Sequence, residues 1–262
     1  MSIQDFVGLA MQLKRHTHEE RLQLSRQLSK QILDTYGDKI VAVLVTGSTA
    51  KNLDRPYSDL EMIAIIRNGV EIPIAQYIHD GMSIQIDYVE GSSFLKDASR
   101  ITFNWPLSQD QFRNRIVLYD PTAWISKLDK VVAESETADT RKRLVIGQLM
   151  AALYEGLEVI KNAQLENDEI GIRTAGFYLA WDAARLVLLM NKRYVLTSSW
   201  FWKETKDSVV KPKGFWTREE KLAGFVRASV EEIVESAESL CDDMLKIVES
   251  LSISIEPAKL LV

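Results

Sequence analysis

Two carboxylates, Asp59 and Glu61, stand at the start of an apolar run that is otherwise typical of a buried strand. Residues two apart in a strand point to the same face, with their Cα atoms about 6.5–7 Å apart. Two carboxylates this close repel each other, and a hard divalent ion such as Mg²⁺ relieves the repulsion by taking oxygen ligands from both. The pair therefore predicts a metal site, although an isolated D-x-E pair is more often an exposed strand end.

The turn that precedes this pair is rich in hydrogen-bond donors. Gly47 lets a ligand approach the backbone closely, and the amide and hydroxyl of Ser48 can donate to phosphate oxygens. Lys51, three residues further on, can reach the same phosphates as a point charge. The loop matches neither G-x-x-x-x-G-K-[ST] nor G-x-G-x-x-G. An ordinary turn is the alternative for Gly-Ser alone, but the turn and the carboxylate pair together predict a metal–nucleotide site.

The first half of the chain alternates between short apolar runs and turns, which is typical of strands. Four strands are predicted, over residues 39–46, 60–67, 82–89 and 114–119. Thr17 and Glu20 have the spacing of a capping box, so a helix is predicted to begin after Thr17 and to end near Tyr36. Residues 52–58 are a predicted loop, and residues 79–81 are a predicted turn before the third strand.

From about residue 140 the apolar residues recur with the period of helices, and no convincing strand pair follows. The helix predicted over residues 144–162 has one apolar stripe, formed by Ile146, Leu149, Met150, Leu153, Leu157 and Ile160. The segment 174–192 is apolar nearly all round, as expected for the central helix of a bundle. Thr217 is predicted to begin another long helix, with Glu219 and Glu220 in its first turn.

These two patterns indicate an α+β fold. We predict a domain with a small mixed sheet over residues 1–127 and a helical bundle domain over residues 128–262. A chain of 262 residues, 46% of them hydrophobic, is long enough to bury the cores of two such domains.

The composition argues against several classes of protein. A formal net charge of −5 disfavours a nucleic-acid binder, which normally carries a basic field. The single cysteine, Cys241, excludes an internal disulfide and a thiolate metal cluster. The N-terminal stretch MSIQDFVGLA shows no secretory signal, and the apolar segment 174–191 contains Asp182 and Arg185 and is short for a membrane span. We therefore expect a cytoplasmic protein with neither a nucleic-acid nor a membrane partner.

The motif G-S-x(10)-D-x-E, which starts at Gly47, resembles the nucleotidyltransferase superfamily of the polymerase-beta type. The segment TGSTAKNLDRPYSDLEM is similar to the active-site segment of a narrower family, the aminoglycoside 4'-O-nucleotidyltransferases, also called the kanamycin nucleotidyltransferase family. NWPLSQDQF at residues 104–112 and IVLYD at 116–120 are similar to the same family, and YVLTSSWFWKETKDSVV resembles it more loosely. The resemblance runs, with gaps, from about residue 32 to residue 215, and it implies that the first domain is a nucleotidyltransferase domain.

The resemblance assigns the nucleotide phosphates to the first domain. It implies that Gly47, Ser48, Lys51 and Ser58 bind the nucleotide. Lys51 stands where the family has arginine, so a charge is kept but bidentate phosphate binding is lost, and we expect weaker fixation of the triphosphate. Asn104 stands where the family has aspartate, which removes a carboxylate from that position.

The same resemblance implies that Asp59 and Glu61 are catalytic carboxylates that hold Mg²⁺. The available third metal ligand is Asp87, on the third predicted strand, and Gln85 is the alternative for the equivalent position. Residues 85 and 87 share a face of an alternating strand, so either can point into the cleft. Glu61 and Gln85 are also predicted to contact the acceptor substrate, although an exposed edge-strand acid remains the alternative for Asp87.

The helical domain is expected to supply the catalytic base. In LMAALYEGLEVIKNA, Glu155 lies opposite the apolar stripe and faces water or a cleft. The family places its general-base glutamate in a segment of this kind, which implies that Glu155 binds the acceptor and removes the proton of its hydroxyl. Glu158 is the competitor, and a solvated helix face is the ordinary alternative. The family also has a lysine one turn later, where this chain has Val159, and Lys161 is the available substitute.

The reaction implied by the resemblance is transfer of AMP from ATP to an aminoglycoside hydroxyl, the 4'-OH, with release of pyrophosphate and resistance to the antibiotic. Mg²⁺ would be the cofactor. The family cleft lies between two subunits, which implies a homodimer with a shared active site. A cleft rich in carboxylates would also attract the ammonium groups of an aminoglycoside. Two alternatives stay open, a nucleotidyltransferase acting on a protein or RNA hydroxyl and a nucleotide-binding module without catalysis.

Overall fold

A computed structural model describes residues 12–253 of the chain. The N-terminal stretch MSIQDFVGLA, on which the prediction of no secretory signal rests, lies outside these residues. The chain divides into two compact units. The first unit contains the residues up to Arg100 together with Asp110–Ser135, and the second contains Ile101–Gln109 together with the chain from Glu136 onward. The division into functional domains at residue 127 stays a prediction.

The first unit is built on a five-stranded sheet in the order β3-β4-β2-β1-β5. Its strands are β1 Ile40–Val45, β2 Leu60–Ile66, β3 Ala75–His79, β4 Met82–Glu90 and β5 Ile116–Tyr119. Strands β2 and β4 are parallel, whereas the other three neighbouring pairs are antiparallel, so the sheet is mixed as predicted. All four predicted strands are present, and their bounds differ from the prediction by at most two residues.

Helices cover both faces of this sheet, because alternate residues of each strand pack in opposite directions. The first unit contains α1 His18–Tyr36, α2 Gly47–Ala50, α3 Gly91–Ser99, α5 Asp110–Arg113 and α6 Ile125–Glu136. On β2, Leu60 and Met62 pack in the core that includes Leu28 of α1. Ile63 and Ile65 pack in a second core with residues of α3 and α6. Burial on both sides explains why β2 is an almost continuous apolar run, and Glu61 is the one charged residue in it.

The predicted start of α1 is confirmed. The Thr17 hydroxyl accepts a hydrogen bond from the Glu20 amide at 3.2 Å, and Glu20 Oε2 accepts one from the Thr17 amide at 2.7 Å. These two bonds form a capping box, which stabilises a helix by about 1 kcal/mol. The helix ends at Tyr36, as the sequence predicts.

Strand β3 was not predicted. It lies at the edge of the sheet and is largely exposed, so it lacks the apolar alternation that marks a buried strand. Asp80 and Gly81, both with positive φ, connect it to β4 in a two-residue hairpin. The turn at residues 79–81 was therefore predicted, but the strand before it was not.

The second unit is helical. Its helices are α4 Trp105–Ser108, α7 Asp139–Leu165, α8 Glu169–Met190, α9 Phe201–Lys206, α10 Phe215–Leu222 and α11 Val230–Ser250. The predicted stripe of α7 packs in the core with α8 and α11, and 11 of the 22 residues of α8 are buried. The α+β class is confirmed. Among the described helices, none is long and apolar enough to cross a membrane.

The prediction of a long helix that begins at Thr217 is wrong. Helix α10 begins at Phe215, after Gly214 at φ 70°, and ends at Leu222 before Gly224 at φ 74°. These left-handed glycines limit α10 to eight residues, and a second capping box, Ser229 with Glu232, begins α11. Glu219, predicted to lie in the first turn of the helix, lies in its second turn and is fully buried.

Candidate active site

The turn after β1 lies directly against the carboxylate of Glu61. Gly47 has φ 64° and begins the short helix α2. A Cβ atom at this position would lie 1.8 Å from Glu61 Oε2, so a larger residue would displace the Glu61 side chain and strain the backbone. The Thr46 amide donates to the Glu61 carbonyl at 3.0 Å, which joins the end of β1 to the start of β2. The predicted juxtaposition of the Gly47-Ser48 turn and Glu61 is therefore present.

The side chain of Lys51 turns back over this helix. Its ammonium donates to the Gly47 carbonyl at 2.5 Å and forms an ion pair with Asp110. Both side chains are largely buried, with 7% of Lys51 and 13% of Asp110 exposed. Ser48 lies in the first turn of α2, where the backbone amides have no partner within the helix. The lysine ammonium and these amides are thus held at one end of β1.

The polar residues of β4 lie beside Glu61. Glu61 is paired with Gln85 in the parallel ladder between β2 and β4, and Asp87 follows two residues later on the same face. Gln85 Nε2 donates to both carboxylate oxygens of Asp87, at 3.0 and 3.1 Å. The structure therefore keeps both of the alternatives that the sequence left open on the face of the sheet that carries Glu61.

Burial raises the pKa of the Glu61 carboxyl above its ordinary value, and the neighbouring charge of Asp59 raises it further. Asp87 and Asp110 act in the same direction, whereas the Lys51 ammonium opposes them. Asp59 itself is exposed and directly precedes β2. Negative charge is therefore concentrated around the half-buried Glu61 carboxyl, near the start of β2. Within residues 12–253, however, no group of three or more Asp, Glu, His or Cys side chains is arranged to hold a metal ion.

Ser58 is used inside the loop that precedes these carboxylates. Its hydroxyl accepts from the Arg55 amide at 2.9 Å, and its carbonyl accepts from the Arg21 guanidinium at 2.8 Å. Arg21 is fully buried in α1 and also binds the Asp54 carboxylate at 3.0 Å and the Arg55 carbonyl at 2.8 Å. One guanidinium thus fixes the loop immediately before Asp59.

Neither Arg21 nor Asp54 was predicted from the sequence, although a signal for Arg21 exists. Ser25, Leu28 and Ile32 lie on the buried side of α1, and Arg21 continues their helical spacing by one turn. A charged residue on the inward stripe of a helix indicates a buried polar partner. Nothing in the local sequence identifies Asp54 as that partner.

Asp110 was also missed. It begins α5 within the segment NWPLSQDQF, and the Asn114 side chain donates to its Oδ1 at 2.8 Å. The signal available in the sequence was the likeness of this segment to the family. The contact with Lys51, 59 residues away in the chain, could not be read from spacing.

The predicted base lies in the second unit. Glu155 is exposed on α7, and Glu158 is exposed as well, whereas Leu153 and Ile160 on the same helix are buried. Glu155 therefore faces away from the apolar stripe, as predicted, but its catalytic role stays a prediction. Lys161, the substitute considered for the family lysine, pairs with Glu238 at 2.7 Å.

Two of the three positions at which the chain differs from the family pattern, Asn104 and Val159, lie in the second unit. Val159 is half exposed on α7. Asn104 accepts a hydrogen bond from Arg185 at 2.7 Å, so its side chain contributes to the contact between the segment before α4 and helix α8.

No protein-family model matches the chain. Two curated proteins are similar to it over 231 residues, which are 85% of this chain and 88% of each relative. They are an aminoglycoside nucleotidyltransferase (4') from Staphylococcus aureus, 25% identical, and one from Bacillus sp, 24% identical. Among solved structures, a nucleotidyltransferase-like protein from Exiguobacterium sibiricum 255-15 has a similar fold, with a TM-score of 0.53 and 14% identity. That match covers 86% of this chain and 74% of the solved one.

Proposed function

We propose that this chain is an aminoglycoside nucleotidyltransferase, which transfers AMP from ATP to the 4'-hydroxyl of an aminoglycoside and releases pyrophosphate. The observation that carries the proposal is the contact between the Gly47-Ser48 turn and the Glu61 carboxylate, with Asp59, Gln85 and Asp87 near that carboxylate. The similarity to two aminoglycoside nucleotidyltransferases over 85% of the chain supports the choice of substrate. Modification of the drug would confer antibiotic resistance.

The triphosphate would bind at the turn. The amides of the first turn of α2, the Ser48 hydroxyl and the Lys51 ammonium are the donors available to its oxygens. Ser58 contributes by holding the loop before Asp59, since its hydroxyl and carbonyl already bond within the first unit.

The chemistry of the carboxylates near Glu61 supports Mg²⁺ as the cofactor, since this ion prefers oxygen ligands. The carboxylates of Asp59, Asp87 and Asp110 act on that of Glu61, and the single ammonium of Lys51 opposes them. Mg²⁺ usually takes only one or two carboxylates from a protein, together with water and substrate phosphates. Asp59 and Glu61 would hold the ion, with Asp87 as the further carboxylate. When bound, the ion would neutralise charge on the phosphates.

The acceptor hydroxyl would be activated by Glu155. Its carboxylate is exposed on α7 and takes the hydroxyl proton, while the oxygen forms a bond to the α-phosphorus and the bond to the pyrophosphate oxygen breaks. Glu61 and Gln85 would contact the aminoglycoside, whose ammonium groups suit a carboxylate-rich surface. The proposal includes a homodimer in which Glu155 of one subunit acts on the nucleotide of the other, in a cytoplasmic enzyme without nucleic-acid or membrane partners.

Pyrophosphate release in the presence of ATP and Mg²⁺ tests this function. The assay compares tobramycin and kanamycin with an aminoglycoside that lacks the 4'-hydroxyl. We expect pyrophosphate only with acceptors that carry that hydroxyl, and none without an aminoglycoside. Release that ignores the 4'-hydroxyl would contradict the assigned position. Binding of ATP without release for any aminoglycoside would favour another acceptor or a module without catalysis.

A further inference from the structure

Lys51 is more restrained than a lysine at a phosphate site needs to be. An ammonium has three N–H donors, and in this chain one is used by the Gly47 carbonyl and one by Asp110. Because both side chains are largely buried, the long lysine stem has little room for other rotamers. The third N–H remains for an oxygen of a ligand bound at the turn.

Asp110 is itself held from the other side. Its Oδ2 accepts from Lys51, while its Oδ1 accepts from the Asn114 side chain at 2.8 Å. The backbone N–H of Asn114 also donates to the Asp110 carbonyl at 2.8 Å, which closes the single turn of α5. Both carboxylate oxygens are thus occupied by donors of the protein, an arrangement suited to orienting a cation rather than to binding a metal ion directly.

We propose that Asp110 is a positioning residue that fixes the Lys51 ammonium at the Gly47-Ser48 turn for a nucleoside triphosphate. An arginine binds phosphate through a rigid two-pronged fork, whereas a lysine is a point charge on a flexible stem. The buried pair with Asp110 supplies the fixed orientation that lysine lacks. On this proposal Lys51 would hold the triphosphate more firmly than the exchange of arginine for lysine alone predicts. The inference rests on the proposed function, because it assumes a nucleotide at this turn.

Simple electrostatics makes the opposite prediction. Asp110 is an anion near the site of an anionic nucleotide, so removing its charge should tighten binding if charge alone mattered. If Asp110 positions Lys51, removing it should weaken binding instead. The sign of the change in affinity therefore separates the two roles.

The test measures the dissociation constant of ATP with Mg²⁺ by calorimetry on the full chain. For Asp110→Asn we expect binding about 10-fold weaker or more, the factor associated with loss of a charge-assisted hydrogen bond. Lys51→Met should show a comparable loss, and the double variant should be no weaker than Lys51→Met alone. Asp97→Asn is the matched control, because it removes the same charge from an exposed ion pair with Arg100.

A second variant and the wild-type chain provide two further measurements. If Asp110→Asn does not fold, Asn114→Ala replaces it, since this variant keeps both charges and removes the side-chain amide that donates to Asp110 Oδ1. A weaker affinity in that variant would support the inference. An unchanged or tighter affinity in the folded variant would overturn it and leave the proposed function standing. If the wild-type chain binds no nucleoside triphosphate, the proposed function fails, and the inference fails with it.

Discussion

Two carboxyl groups with raised pKa values, those of Glu61 and Glu219, lie in different units, and the causes of the shift differ. Glu61 is half-buried, and its pKa is raised by burial and by Asp59, Asp87 and Asp110, with Lys51 opposing. Glu219 is fully buried, and burial alone raises its pKa, with only Arg218 opposing. Neither oxygen of Glu219 has a hydrogen-bond partner among the described residues. A raised pKa indicates a functional site only where other charges and an approach for a ligand accompany it.

The largest effect on activity is expected for Asp59, directly before β2. Asp59→Asn should reduce pyrophosphate release by about 10³-fold or more, because an amide cannot neutralise a divalent ion as a carboxylate does. The thermal midpoint should stay close to that of wild type, since Asp59 is exposed. Asp38→Asn removes an exposed acid paired with Arg67 and serves as the control. Near-normal turnover of Asp59→Asn would contradict the carboxylate pair as the metal site.

The next effect concerns the second unit. Glu155→Gln keeps the size of the side chain but cannot accept a proton, so turnover should fall by about 10²–10⁴-fold while ATP still binds. Glu158→Gln, exposed on the same helix, should change little. Steady-state kinetics of both variants across pH makes the check, because the acidic limb of the profile should disappear with Glu155→Gln. If Glu158→Gln loses turnover and Glu155→Gln does not, the alignment of α7 with the family segment is displaced by three residues.

Gly47→Ala tests how closely the turn and Glu61 fit. The added Cβ would lie 1.8 Å from Glu61 Oε2 at a residue with φ 64°, so we expect a loss of about 1–3 kcal/mol in the free energy of unfolding and loss of ATP binding. Gly214→Ala is the control, because Gly214 has a left-handed helical backbone with φ 70° and no atom lies within 4 Å of the added Cβ. Its loss should be about 1 kcal/mol, from backbone strain alone. Equal losses in chemical denaturation would show that the contact with Glu61 contributes nothing.

The smallest effect is expected at Glu219, and it depends on pH. Because the folded-state pKa is raised, the folded chain binds this proton more tightly than the unfolded chain, whose ordinary value is 4.5. The resulting stability is fully present below that value and is lost as the pH rises toward the folded-state pKa. Glu219→Gln should therefore match wild type near pH 4 and be more stable by about 1 kcal/mol at neutral pH, with unchanged turnover. Urea unfolding at both pH values checks this, and identical pH dependence of the two proteins would contradict it.

The surroundings of Glu61 could be predicted from the sequence further than those of Glu219. The spacing of Gly47, Asp59 and Glu61 identified the turn and the carboxylates, because strand periodicity is local. Placement of Gln85 and Asp87 on one face also followed from the period of two. The partners Asp54 and Asp110 were missed, since each contact joins residues more than 30 positions apart and no local pattern records it.

In the second unit the apolar stripe of α7 was predicted from its period, but Glu219 was not predicted to be buried. Its helix was expected to begin at Thr217 and to continue, whereas two left-handed glycines limit it to Phe215–Leu222. The buried residues Phe215, Glu219 and Leu222 lie on one face of α10, and a helix that begins at Thr217 leaves Phe215 out of that stripe. Helix ends set by glycine conformation are weaker signals than apolar periodicity, which explains why the burial of this carboxyl was missed.

The most direct test of the proposed function follows the label of ATP in two parallel reactions, one with ATP labelled at the α-phosphorus and one with ATP labelled at the γ-phosphorus. Each contains Mg²⁺ and tobramycin, with Asp59→Asn as the matched inactive control. We predict that the α label moves to the aminoglycoside and that the γ label leaves as pyrophosphate, in the wild-type chain alone. Transfer of the γ label to the drug, or transfer of neither label, would contradict nucleotidyl transfer at the Gly47 turn.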